Sequence, residues 1–138
     1  MAATMLGHAL NEYAIVISKD ACFDIRLDAD RLQKTAEKLY GVELPIIFDF
    51  DCRVAKQPEI RLGKSRRRRA DAVALDEYYA KVDENGNLWI DAGHYVGTHT
   101  ALKRVLALWR AAPTANSLPK PTRFPARWIC PCCGKIPV

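Results

Sequence analysis

Asp83-Glu84-Asn85-Gly86 is the segment that most narrows what this chain can fold into. It stands between two β-rich apolar runs, 73–82 and 87–91. Asn and Gly tolerate the positive φ angles that tight turns between antiparallel strands require, so the segment predicts a hairpin. Two further strands are expected upstream. In 44–51, Ile46, Phe48 and Phe50 share one face, and 59–62 is a short apolar stretch.

Helices are expected on either side of these strands. Leu32, Ala36, Leu39 and Tyr40 fall at i, i+4, i+7 and i+8, Asp28 or Asp30 can cap the start, and Gly41 supplies a stop. The spacing predicts a helix over about 29–40. Before it, Phe23, Ile25 and Leu27 alternate with Asp24 and Arg26 over 22–27, as in a half-buried strand. The stretch 3–18 reads as a helix through Leu6, Leu10 and Tyr13, or as a strand at its end, 13–17. A last helix over about 99–111 would bury Leu102, Val105, Leu106 and Trp109 and stop at Pro113.

The expected fold class is α+β: a small antiparallel β-meander or hairpin sheet packed by two to three helices. The chain has 138 residues, the usual size of one domain. A globular domain is expected over 1–112. Pro113, Pro119, Pro121 and Pro125 make 113–138 an extended tail ending in Cys130-Pro131-Cys132-Cys133-Gly134. No apolar run approaches the roughly 18 residues of a membrane span. The first residues, Met-Ala-Ala-Thr, lack the basic start of a signal peptide. Five unevenly spaced cysteines do not form a secreted disulfide framework. A cytoplasmic chain with no membrane partner is expected.

The net charge of +5 is unevenly placed: 1–60 holds seven Lys/Arg against ten Asp/Glu, and 61–138 holds fourteen against six. Arg61, Lys64, Arg66, Arg67, Arg68 and Arg69 put six positive charges in nine residues, and no acid follows Ala111. Guanidinium groups pair bidentately with phosphate, and each neutralised phosphate releases counterions. With Arg123 and Arg127, and with Trp128 as a stacking face, this run makes nucleic acid the expected partner. An acidic protein surface would satisfy the same charges.

Cys130 and Cys133 form a Cys-x-x-Cys-Gly knuckle able to aim two thiolates at one zinc ion. A structural zinc takes four ligands, and His94 and His99, separated by four residues, are the candidate second pair. Free thiols on the tail are the alternative. Asp49 and Asp51, at i and i+2 on one strand face, with Glu59 and Arg61 following, are the loose outline of a magnesium-dependent nuclease. Arg61 there is a poor substitute for the lysine such sites use, since its guanidinium never deprotonates. No phosphate-binding glycine loop, nucleophile elbow or His-Glu-x-x-His motif occurs.

The stretch Leu39-Tyr-Gly-Val-Glu-Leu-Pro-Ile-Ile-Phe48, then strands, a helix and a terminal Cys-x-x-Cys-Gly, is similar in plan to the SprT-like metallopeptidases. The helix in the matching place, Thr98-His-Thr-Ala-Leu-Lys-Arg-Val-Leu106, lacks that family's catalytic Glu and second His. The resemblance implies a zinc protein without the peptidase activity. The sequence thus points to a small basic accessory protein, not an enzyme, that binds nucleic acid. The second expectation is a protein-binding inhibitor or accessory factor of the kind phages and mobile elements encode.

Overall fold

The computed structural model describes residues 4–5, 8–51, 57–65, 67, 77–111 and 126–127. Strands β1 (Thr4–Met5) and β2 (His8–Ala9) form a small antiparallel ladder, and one 3-10 turn, Leu10–Glu12, follows. The main elements are β3 (Ala14–Ile17), α1 (Phe23–Tyr40), β4 (Ile46–Phe48), β5 (Glu59–Leu62), β6 (Glu77–Val82), β7 (Leu88–Ala92), α2 (Tyr95–Ala111) and β8 (Ala126–Arg127).

The expected antiparallel meander is not what forms. Strands β4, β3, β5 and β7 lie side by side and parallel, β6 pairs antiparallel with β7, and the two-residue β8 pairs antiparallel with β6. The architecture is an α/β mixed, mostly parallel sheet with two helices. The hairpin of 83–86 does form, but it is one corner of the sheet. The physical reason lies in β3. All four residues of Ala14–Ile17 are buried, and a strand apolar on both faces suits the interior of a parallel sheet, whose strands are covered on either side. Because a parallel partner needs a crossover, β3 pairs with β4 through α1 and with β5 on its other flank.

α1 packs on β3, α2 packs on β6 and β7, and the helices pack on each other, so both cover the same sheet face. Ile15, Ile60, Leu88 and Ile90 meet Leu32, Ala36, Leu102 and Val105 in one buried cluster. Each such Ile, Leu or Val side chain taken from water contributes about 1.5–3 kcal/mol.

The expected strand over 22–27 is the first turn and a half of α1. Ile25, Ala29, Leu32 and Ala36 are its buried stripe, a helical spacing that overrides the local alternation. Phe23 and Leu27 therefore point outward, Phe23 with 73% of its surface exposed. Gly41 does stop the helix: it adopts φ +68°, and its amide donates to the Glu37 carbonyl. α2 starts four residues before the expected 99.

Among the described residues no helix is long and apolar enough to cross a membrane.

Candidate functional site

The parallel strands bring their carboxyl ends to one edge of the sheet. From β3 the chain crosses to β4 on one side, whereas β5 and β7 lie on the other. The strand that follows β3 in the chain thus lies on one side of it, and those that follow β5 lie on the other. In open α/β sheets a crevice forms at such a switch point, and ligands bind there. Here it has a volume of about 370 Å³ and is lined by Ser18 after β3, Gly63 and Lys64 after β5, Gly93 and His94 after β7, and Cys22 and Thr98 at the helix starts. A shallower depression beside it shares Ser18, Asp20 and Lys64 and adds Lys19, Asp49 and Ser65.

The loop between β3 and α1 is held by Arg26. Its guanidinium donates to the carbonyls of Ala21 (3.0 Å) and Lys19 (2.9 Å) and lies 5.6 Å over the Phe48 ring. His94 holds the other side. Its carbonyl accepts the amides of Gly97 and Thr98, and its Nδ1 accepts the amide of Val96 at 3.2 Å. The imidazole thus does at this helix start what a capping Ser or Asp usually does.

A second concavity, about 200 Å³, opens between the amino-terminal halves of α1 and α2 and is lined by Asp24, Leu27, Asp28, Arg31, Tyr95, Val96 and His99. At its base His99 Nδ1 lies 2.7 Å from Asp28 Oδ1, and Arg31 approaches the same pair at 3.4 and 3.6 Å. A guanidinium only donates. The two contacts to Nδ1 therefore compete for it, and the shorter one makes Nδ1 the donor to the carboxylate. The lone pair of the neutral ring then sits on Nε2. Asp28 is 1% exposed, and among the described residues its second oxygen has no hydrogen-bond partner.

The far face of the sheet carries a third cluster. Glu59 and Arg61 stand two residues apart on β5, hence on one face. Glu59 Oε1 lies 3.0 Å from Arg61 Nε and 2.9 Å from Arg67 Nε. Arg61 lies 4.5 Å over the Trp89 ring. Arg67 also donates to the carbonyls of Asp49 and Asp51, both at 2.6 Å. Asp83, beside Arg61 at 3.9 Å, accepts hydrogen bonds from Trp89, Asn85 and Asn87. Burial pushes the Asp83 carboxyl up, but these bonds outweigh it and hold it below the usual carboxylate range.

These positions sort the sequence candidates. Arg61 and Arg67 are engaged inside the protein, while Lys64 is exposed at the crevice mouth. His94 lines the crevice and His99 the interhelical cleft. Asp49 Oδ1 accepts the Lys19 amide and Asp51 Oδ2 the Phe48 amide, so both carboxylates brace local backbone. Arg66, Arg68, Arg69, Arg123, Trp128, Cys130 and Cys133 lie outside the described residues, and of Arg127 only the backbone pairing with Glu77 is described. Among the described residues no group of three or more His, Cys, Asp or Glu gathers to hold a metal. Asp28 is the residue the sequence reading missed. It lies at i+3 from Ile25 and i−4 from Leu32, an acid on the apolar stripe of a helix, which was the available signal.

No family model and no curated protein matches the sequence. Among solved structures, the GH20 β-N-acetylhexosaminidase of Streptomyces coelicolor A3(2) is similar over 85% of this chain, with a TM-score of 0.51 and 16% identity. The N-acetyl-β-hexosaminidase of Streptomyces plicatus is similar over 83%, with a TM-score of 0.47 and 16% identity. The chain spans 21% of the length of each of these enzymes. At this identity the first likeness is one of fold alone: a segment of a much larger protein has the same α/β arrangement.

Proposed function

We propose that this chain is a nucleic-acid-binding module that holds phosphate at the crevice on the carboxyl edge of its sheet. One observation carries the reading. Lys64, the residue from which the basic run continues into Arg66–Arg69, stands exposed where the crevice and the adjoining depression meet. That edge is where sheets of this kind receive ligands. Arg61 and Arg67 serve the fold, so the binding charge rests on Lys64, Arg66, Arg68 and Arg69, with Arg123 and Arg127 from the acid-free end of the chain. Non-specific attraction of this type is salt-dependent, with a slope of log K against log salt near −0.7 per neutralised phosphate on a single strand.

The test is fluorescence anisotropy with a labelled single-stranded oligonucleotide over a salt series. The expected slope is about −3, for roughly four phosphates. Lys64→Glu should weaken binding at least tenfold, and reversing Arg66, Arg68 and Arg69 together should abolish it. Absence of binding at low salt, or binding indifferent to both variants, overturns the reading.

A protein partner is the second reading, favoured by two exposed aromatic rings, Phe23 and Phe50, 73% and 54% exposed. A stoichiometric complex that survives nuclease treatment and is lost in Phe23→Ser would support it.

A further inference from the structure

We infer that the cleft between α1 and α2 cleaves single-stranded RNA, with His99 as the general base. The inference rests on the nucleic-acid reading above and adds a reaction to it.

The first ground is how His99 is held. Its Nδ1 lies 2.7 Å from Asp28 Oδ1, so the neutral ring donates there and carries its lone pair on Nε2. The ring lines the cleft, and among the described residues Nε2 has no hydrogen-bond partner. Asp28 is 1% exposed, and the only partners of its carboxylate among those residues are His99 and Arg31. A buried carboxylate behind an imidazole fixes the tautomer and meets the positive charge that forms when the other nitrogen takes a proton. His94 is not placed to act this way. Its Nδ1 accepts the Val96 amide, so its neutral ring carries the proton on Nε2.

The second ground is Arg31. Its Nη1 lies 3.4 Å from His99 Nδ1 and 3.6 Å from Asp28 Oδ1, and its side chain is 56% exposed. Among the described residues its Nε and Nη2 have no partner. Two N–H groups on one edge of a planar guanidinium match two oxygens of a phosphate. The base and a holder for the oxyanion thus stand side by side. The one other charge among the lining residues, Asp24, is exposed.

The third ground is the surroundings of the pair. No serine, threonine or cysteine is among the described residues that line the cleft. A base with no such side chain beside it acts on a hydroxyl that the substrate or the solvent brings. RNA carries one, the 2′-hydroxyl, next to each phosphodiester, and its attack has the advantage of an intramolecular step. Tyr95, 44% exposed, lines both this cleft and the crevice at the carboxyl edge. A strand held at Lys64 can therefore continue over the Tyr95 ring, a stacking face for one base, to His99.

The step is a transesterification. Nε2 takes the 2′-hydroxyl proton as the O2′–P bond forms and the P–O5′ bond breaks. Arg31 meets the charge that gathers on the phosphate oxygens. The departing 5′ oxygen takes a proton from water, and the imidazolium gives its proton to the hydroxide left behind. The products are a 2′,3′-cyclic phosphate and a 5′-hydroxyl.

The full chain is incubated in EDTA with an end-labelled single-stranded RNA of mixed sequence. Binding is read in parallel by anisotropy on the same strand carrying 2′-O-methyl groups throughout. The RNA should be cut to cyclic-phosphate ends, and the 2′-O-methyl strand should be bound and left whole. His99→Ala should slow cleavage about 10²- to 10⁴-fold with binding unchanged, and added imidazole should restore part of the rate. Asp28 acts through His99 as a positioning residue, so Asp28→Asn should lower kcat and leave KM in place. Because His99→Ala also removes a contact between the helices, Arg31→Ala, at an exposed side chain, is the second variant and should also slow cleavage. A strand bound but not cut overturns the inference and leaves the nucleic-acid reading standing, whereas a strand neither bound nor cut overturns both. Cleavage of the 2′-O-methyl strand, or cleavage undiminished in His99→Ala, overturns the inference as well.

Discussion

The hydroxyl of Tyr13 donates a 2.8 Å hydrogen bond to the carbonyl of Gly86, joining the entry of β3 to the turn of a hairpin 73 residues further on. Both residues are buried. Tyr13→Phe removes the donor and leaves the Gly86 carbonyl unsatisfied, a loss of about 1–2 kcal/mol. The urea midpoint should fall with the slope unchanged. Burial first, then the carboxylates of Glu12 and Asp83, raise the Tyr13 pKa above its usual 10.0. The unfolded tyrosine ionises first, so this stabilisation is whole below pH 10 and is lost as pH rises toward the folded value. The alkaline loss of stability should be smaller in Tyr13→Phe.

Asp83 produces the opposite limb. Four hydrogen bonds of 2.9–3.0 Å converge on its carboxylate, and together they depress its pKa against the pull of burial. The group deprotonates more readily folded than unfolded. Its contribution is present above the ordinary 3.8 and is lost as pH falls through the lower folded value. Asp83→Asn should cost about 2–3 kcal/mol at neutral pH. Its acid unfolding curve should be shallower than that of the unaltered chain, as followed by circular dichroism.

What could be read in advance, and what could not, follows from how far each cause reaches along the chain. The turn at Asn85-Gly86 and the stop at Gly41 are set by one residue's backbone freedom, so both were legible. The start of α1 was not, because Phe23, Ile25 and Leu27 satisfy a strand's period locally. Only the longer series Ile25, Ala29, Leu32, Ala36 shows that the helix prevails. The unbroken apolar Ala14–Ile17 held a signal for a parallel strand, but its partners depend on crossovers that no local pattern encodes. Arg61 read as a free charge although Glu59, two residues earlier on the same strand face, was in view. Asp28 and His99 are 71 residues apart, and their meeting depends on the packing of the two helices.

Glu59 is the shared anion of two arginines, and removing it tests whether they belong to the fold. Glu59→Gln removes the carboxylate that Arg61 and Arg67 share and leaves the more distant Asp83, 3.9 Å from Arg61, as the remaining carboxylate beside Arg61. Both guanidiniums are partly open to water, so the cost falls below that of a fully buried pair, at about 2–3 kcal/mol. Arg67→Lys should not be tolerated either. An ammonium cannot reach Glu59 and the carbonyls of Asp49 and Asp51 together as the planar fork does. A double-mutant cycle on Glu59 and Arg67, read by chemical denaturation, should give a coupling of about 1 kcal/mol or more.

Two glycines with nearly the same backbone separate strain from space. Gly41 has φ +68° and nothing within 4 Å of an added Cβ, whereas at Gly86, with φ +82°, that atom would lie 2.8 Å from His8 Cδ2 and 2.9 Å from its Nε2. Gly41→Ala should therefore cost only the left-handed backbone penalty, about 1 kcal/mol. Gly86→Ala should cost more, because His8 must also move, and with it the edge-on contact of its ring with Tyr13. Pairing Gly86→Ala with His8→Ala removes the clash and leaves the backbone term, so the double variant should recover stability relative to Gly86→Ala measured against His8→Ala alone. Pairing Gly41→Ala with His8→Ala should be additive. Thermal unfolding of the five variants and the unaltered chain measures both, and equal coupling at the two glycines would show that the His8 contact does not hold the turn.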